Sequence, residues 1–158
     1  MSTPSYPAIG KAAPTFKAPV VGYGTDTVLD LKSLKGHTVV LYFYPKDNTP
    51  GCTKQACALR DGWASIASKA KVFGISIDPA ASHQKFINKF DLPFPLIVDE
   101  DHAIAEAYGV WVEKSMYGKT YLGTERTTFI IAPDGKLQAI LPKVKPEQHL
   151  EQVLALIP

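Results

Sequence analysis

Two residues dominate any chemical reading of this chain. Its two cysteines, Cys52 and Cys57, stand five positions apart in the stretch YPKDNTPGCTKQAC, directly after Thr49-Pro50-Gly51. A structural disulfide between them would close a tiny loop and constrain the unfolded chain very little. Thr is a preferred N-cap and Pro a preferred first helical residue, so the stretch predicts a helix that starts at Pro50 with Cys52 near its third position. Open backbone N–H groups and the positive end of the helix dipole surround that place, and both favour a thiolate over a thiol. The dipole supplies only ~0.3–1 kcal/mol, at most ~2, so a well-formed thiolate calls for a second cation. Lys54 and Arg60 lie on the same helix without clearly aiming at Cys52. Arg126, at the start of a late strand, is the better candidate.

Cys57 sets a geometric condition. Five residues of helix rise about 7.5 Å and turn about 140° around the axis. A disulfide needs Cα atoms closer than about 7 Å and side chains that face each other. The two sulfurs cannot bond while the helix is intact. A transient bond remains open, because a sulfenic acid on Cys52 condenses with a nearby thiol. The plain alternative is that Cys57, next to Ala56, is a small buried hydrophobe.

The elements that must hold these residues can be read from hydrophobic patterning. The segment up to about Pro19 reads as an irregular arm, and Thr27 to Gly36 as a short strand followed by a turn of helix. Val39 to Tyr44 is an unbroken apolar run, β-branched and aromatic, and predicts a strand buried on both faces. Pro45 ends it, since proline cannot donate to a sheet ladder. Ala56, Leu59, Trp63, Ile66 and Ala67 recur at helical spacing and predict one amphipathic helix. KVFGISID and PFPLIVD predict further strands, and SHQKFINKF and DHAIAEAYGV helices. RTTFIIAPDGKLQAIL predicts a hairpin around Pro-Asp-Gly. The last helix places Leu150, Val153, Leu154 and Ile157 on one face. Strands alternating with helices, with an antiparallel hairpin near the end, predict an α/β fold of thioredoxin-like type: one domain over residues 1–158 with a mixed β-sheet flanked by helices.

Composition bounds the function. The chain has 158 residues, 46% hydrophobic and 20% charged, with a net charge of +2. That charge is too small to point to nucleic acid or an anionic membrane. No apolar run approaches the ~20 residues of a membrane span. The N-terminus has no charged-then-apolar signal pattern, so a reducing, cytoplasmic setting is expected, where a lone cysteine pair reads as catalytic, redox-active or metal-binding. Zinc is disfavoured, because no second Cys or His pair stands at ligand spacing. His37, His83, His102 and His149 are scattered among polar neighbours and read as solvated surface. Trp63 reads as core. Trp111 follows a helix end and either packs or lines a groove. The segment DEDH, Asp99 to His102, looks like a ligand cluster, but acidic residues before a helix read rather as cap and dipole partners. A C-x-x-C disulfide oxidoreductase does not match the cysteine spacing; a redox-sensing or holdase protein without turnover is the alternative of a different class, told apart by whether peroxide is consumed catalytically.

With these residues in place, FYPKDNTPGCTKQACALRD resembles the active-site segment of the peroxiredoxins, and most closely the peroxiredoxin Q group, also called bacterioferritin comigratory protein. The pattern Pro-x-x-x-Thr-x-x-Cys is met by Pro45, Thr49 and Cys52. The group's resolving cysteine is met by Cys57, and the family's late-strand arginine by Arg126 in ERTTFIIAPDGK. The segment VDEDHAIAEAYGVWVEKSMYGKTYLG is also similar. The resemblance runs from about Gly10 to Leu156. It implies a thiol peroxidase in which the Cys52 thiolate attacks a hydroperoxide and Arg126 holds the thiolate and polarises the peroxide. The same resemblance implies that Thr49 hydrogen-bonds a peroxide oxygen, that Pro45 shields the site, and that Cys57 resolves the sulfenic acid as a disulfide. It further implies recycling by thioredoxin or a similar dithiol, no metal or organic cofactor, and a monomer or weak homodimer.

Overall fold

The computed structural model describes residues 5–157. Its centre is β3 (Val39–Phe43), buried at every position. Burial on both faces matches the uninterrupted apolar run, which gives each side of the strand a layer to pack against. β3 pairs parallel with β4 (Lys71–Ser76) and antiparallel with β8 (Thr127–Ile131). The register sets Leu41 beside Phe73 on one side and Phe129 on the other. β4 continues parallel to β5 (Leu96–Val98), then β1 (Lys17–Tyr23) and β2 (Asp26–Asp30) extend that edge antiparallel. β9 (Leu137–Leu141) closes the other edge, so the seven-stranded order is β2-β1-β5-β4-β3-β8-β9. The sheet is mixed, as expected, and has thioredoxin-like helical layers.

Alternation along β3 sends Leu41 and Phe43 to one core and Val40, Tyr42 and Tyr44 to the other. The first core takes in Tyr108 and the side chains of α4 (Ala103–Ala107). The second lies under α1 (Pro50–Asp61), α2 (Trp63–Ala67), α3 (Ala80–Phe90) and α5 (His149–Leu156), and it contains Cys52.

Two expectations need correcting, and one hairpin comes in addition to those expected. The helix expected to run through Ala67 breaks at Gly62, which separates α1 from α2. A side chain at Gly62 would stand 2.5 Å from a Leu150 methyl, so glycine there lets α5 pack against α1. The arm expected up to Pro19 becomes β1 from Lys17 onward, and its irregular part is tied down, for example by Gly10 N–H to the Leu137 carbonyl and Ala13 N–H to the Gly135 carbonyl. A second hairpin was not read from the sequence: β6 (Trp111–Met116) and β7 (Lys119–Thr124), joined through Tyr117 and Gly118, both at positive φ. This ribbon is separate from the main sheet and mostly exposed, so it carries no alternating apolar signal.

Candidate active site

The strand–helix junction after β3 builds the site. Tyr44 N–H makes its bond to the Ile75 carbonyl, and Pro45 then ends the ladder. Thr49 takes the N-cap with φ −99° and ψ 156°, Pro50 is the first helical residue, and Cys52 is the third, as the sequence predicts. The first backbone bond of α1 runs from Thr53 N–H to the Thr49 carbonyl. The N–H groups of Gly51 and Cys52 come before it, and no side chain caps them. The Thr49 hydroxyl instead donates to the Lys46 carbonyl at 2.8 Å. Thr49 and Pro45 are both half-buried.

Cys52 is only 1% exposed, and Arg126 reaches it from the residue before β8. The guanidinium Nη2 lies 3.4 Å from Cys52 Sγ and Nη1 donates to Gln55 Oε1 at 2.6 Å. The pairing of Cys52 with a distant arginine is thus present, while Lys54 and Arg60 play no part in it: Lys54 is exposed, and Arg60 bonds Asp61 and the Phe90 carbonyl. Gly51 makes room for the approach, since a Cβ there would stand 3.1 Å from Nη2. Cys57 is half-buried on the same intact helix and both thiols are free.

The histidine expectation fails at two positions. His83 and His149 are both fully buried. Beyond Arg126, Gln55 Nε2 lies 3.0 Å from His149 Nδ1, and His149 Nε2 lies 2.7 Å from Thr128 Oγ1. Burial first, and then the charge of Arg126, push the His149 imidazole from 6.5 down to about 3. As the pH falls below 6.5, the unfolded chain takes up a proton that the native one refuses, so stability is lost progressively down to about pH 3. Between pH 7 and pH 5 this group removes about 2 kcal/mol of stability. Urea unfolding at both pH values is expected to show that loss in the wild type. It should shrink by the same amount in His149→Asn, and an equal loss in the two proteins would refute the assignment.

His83 serves the loop that carries Thr49. Its Nδ1 lies 2.7 Å from Asp47 Oδ2 and its Nε2 lies 2.9 Å from the Ile97 carbonyl. Ser82 also donates to Asp47, whose own N–H donates to Asp78. Tyr44 adds its hydroxyl to the other Asp47 oxygen. Asp47, Asp78 and His83 are close enough to suggest a cation site. The Ile97 carbonyl already partners Nε2 and the Asp47 carboxylate already partners Nδ1, so both ring nitrogens are engaged within the protein. The cluster is an anchor that fixes residues 44–49 to α3 and β5.

Gln55, His149, Thr128 and Lys114 were all missed as site residues. Lys114, on β6, is lowered by burial and then by the charge of Arg126, with Cys52 pulling the other way. Trp111 stacks on His102 at 4.2 Å, and neither residue contacts Cys52 through a recorded ring or hydrogen bond. Asp99 caps α4 by accepting from Ile104 and Ala105, in agreement with the reading of the acidic run.

A half-buried arginine pinned against a buried thiol at a helix start is a geometry that can be compared with known proteins. The AhpC/TSA family matches residues 9–140. The chain belongs to the peroxiredoxins, in the Bcp or peroxiredoxin Q group. It is 46% identical to the putative peroxiredoxin Bcp of Coxiella burnetii, over 92% of this chain and 95% of that relative. Peroxiredoxin Bcp of Bacillus subtilis is 45% identical, over 92% of each chain. A structure of Xanthomonas campestris peroxiredoxin Q superposes with a TM-score of 0.82 at 39% identity, covering 89% of this chain and 87% of that one. A structure of the bacterioferritin comigratory protein of Xanthomonas campestris, from work on its alkyl peroxide reduction activity, superposes with a TM-score of 0.84 at 36% identity. It covers 94% of this peroxiredoxin and 96% of its own chain. Among the described residues no helix is long and apolar enough to cross a membrane.

Proposed function

We propose that Cys52 is the peroxidatic thiol of this thiol-dependent peroxidase and that Cys57 resolves it. The contact between Arg126 and the Cys52 sulfur carries the reading. A guanidinium beside a buried sulfur favours the thiolate, which is the nucleophilic form. The thiolate attacks the terminal oxygen of hydrogen peroxide or an organic hydroperoxide. The S–O bond forms as the O–O bond breaks, and the departing hydroxide or alkoxide takes a proton to leave as water or alcohol. Arg126 and the free N–H of Cys52 face the charge that develops on the peroxide oxygens. The Thr49 hydrogen is committed to the Lys46 carbonyl, so its oxygen offers lone pairs to a hydroperoxide O–H. Pro45 screens the sulfur from water.

The sulfenic acid on Cys52 then meets the Cys57 thiol, whose proton leaves with the sulfenic hydroxyl. The disulfide forms and water leaves. Because both cysteines lie on α1, its first turns must unwind. The absence of a Thr49 side-chain cap favours this, since such a cap is worth about 1 kcal/mol to a helix start. A thioredoxin-like dithiol returns both thiols by exchange and becomes the disulfide itself. We place this cycle in a reducing cytoplasm, acting in a monomer or weak homodimer.

The test is NADPH oxidation coupled through thioredoxin and thioredoxin reductase. Wild type turns over with peroxide. Cys57→Ser loses thioredoxin-linked turnover yet consumes about one peroxide per chain, because it can still be oxidised once. Full turnover by Cys57→Ser would make Cys57 a packing residue. Failure of the wild type with every thiol donor would overturn the peroxidase assignment.

A further inference from the structure

We infer that His149, the first residue of α5, is a positioning residue for the Cys52 thiolate, acting through Gln55 and Arg126. The inference rests on Cys52 being the reacting thiol. Hydrogen-bond directions along the chain of contacts support it. A guanidinium only donates, so the Gln55 atom at 2.6 Å from Nη1 must be its carbonyl oxygen. That fixes the amide. Its nitrogen faces His149 Nδ1 at 3.0 Å and can only donate, so Nδ1 must carry a lone pair. A neutral imidazole then has its hydrogen on Nε2, directed at Thr128 Oγ1 at 2.7 Å. Every direction from Arg126 to Thr128 is set, and only one tautomer of one charge state allows it. A flipped Gln55 would turn its N–H groups on the guanidinium and its carbonyl on the Nδ1 lone pair.

The surroundings enforce that state. His149 is fully buried, its ring 5.4 Å from the Tyr42 ring, and burial together with the Arg126 charge keeps the imidazole neutral over the working range. The ionisable neighbours from the packed elements are Tyr42 of β3, whose ring lies against His149, and Lys114 of β6, whose charge acts on Arg126 and Cys52; the Glu125 carboxylate is turned away to the Tyr6 and Thr127 hydroxyls. The outcome is a guanidinium with one nitrogen anchored and the other aimed at sulfur. Without the Nδ1 acceptor the Gln55 amide loses its fixed orientation, and a long arginine side chain regains rotamers in which Nη2 leaves the sulfur. The C-terminal helix therefore takes part in shaping the thiolate, although none of its residues touches Cys52 in a recorded contact.

The readout is the pH profile of Cys52 alkylation by iodoacetamide in a Cys57→Ser background, where Cys52 is the one thiol. His149→Leu is expected to slow alkylation about tenfold at pH 6, as one loosened charge-assisted hydrogen bond would, and to leave the rate at pH 10 unchanged. His149→Asn places an amide oxygen near the position of Nδ1 and is expected to stay within about twofold of the parent. His149→Gln sets its polar atoms toward Thr128 and is expected to behave like the leucine variant. Should His149→Leu fail to fold, the contrast between Asn and Gln decides the matter. A packing role would lower the melting temperature and leave the profile in place. An unchanged profile in folded His149→Leu, or equal profiles in Asn and Gln, would overturn the inference. Peroxide consumption is scored separately on the same parent protein. If that protein consumes no peroxide while its alkylation profile responds to His149, the peroxidase reading falls and the positioning role stands.

Discussion

Cys52→Ser is expected to consume no peroxide, a loss of at least about 10⁴-fold in the rate of peroxide reduction. The reason is chemical rather than architectural. The replacement differs by one atom, in a place 1% exposed within the core that also holds Tyr42, Tyr44 and Leu59. The hydroxyl still has the Arg126 guanidinium as a partner, so the fold is retained. What vanishes is the nucleophile. A serine hydroxyl stays protonated at neutral pH, and the groups that hold position 52 supply no base: Arg126 only donates, and the Gln55 amide oxygen is taken up by the guanidinium. A thiol needs no base, because the guanidinium and the helix start favour the thiolate directly. A colorimetric peroxide assay with enzyme in excess over substrate checks this in one turnover. A folded Cys52→Ser protein that still clears one peroxide per chain would mean that Cys57 is the attacking sulfur.

Much of this site can be read in the sequence because its logic is local. Thr49, Pro50 and Cys52 follow from capping preferences over a few consecutive residues, and the buried run of β3 announces the strand that presents them. Arg126 lies far along the chain, and its placement against Cys52 depends on β8 pairing antiparallel with β3, which spacing alone does not dictate. His149 is the more instructive case. It stands four residues before Val153 and eight before Ile157, both buried, so helical phase puts it on the inward face. His83 likewise precedes Phe86 by three and Phe90 by seven. Polar neighbours in sequence hid both, because neighbours along a helix point to other sides. The β6–β7 ribbon was illegible for the opposite reason: with solvent around it, no burial pattern records it.

Local fit also explains how one helix serves two demands. In the proposed cycle Cys52 is held in the first turn while it attacks and is then released to reach Cys57. Arg126, the Asp47–His83 anchor and the packing of α5 hold the surroundings of that turn. The turn itself has proline at its first position, glycine at its second and no side-chain cap. Glycine carries a helix penalty of about 1 kcal/mol. The rigid frame and the weak first turn are therefore separate parts of the sequence, and unwinding need not disturb the loop at residues 44–49.

Arg126→Leu tests what the frame delivers. The expected result is a fall of about 10²–10³-fold in the second-order rate with peroxide at pH 7, the range seen when one donor to a developing anion is removed from a buried site. An exposed ion pair would be worth far less, but here the sulfur is almost fully excluded from water and screening is weak. Arg126→Lys is expected to recover only part of the loss. A single ammonium cannot bond Gln55 and the sulfur with the separate nitrogens of a planar fork, so it must give up one partner. Stopped-flow measurement of the first turnover at pH 7 and pH 10 separates the two roles of the guanidinium. At pH 10 the thiolate forms without help, so the loss from weaker ionisation is recovered, and whatever deficit persists belongs to the stabilisation of the peroxide oxygens. A leucine variant within fivefold of wild type at pH 7 would show that the helix start alone activates Cys52. Full recovery at pH 10 would confine Arg126 to holding the thiolate, with no part in breaking the O–O bond.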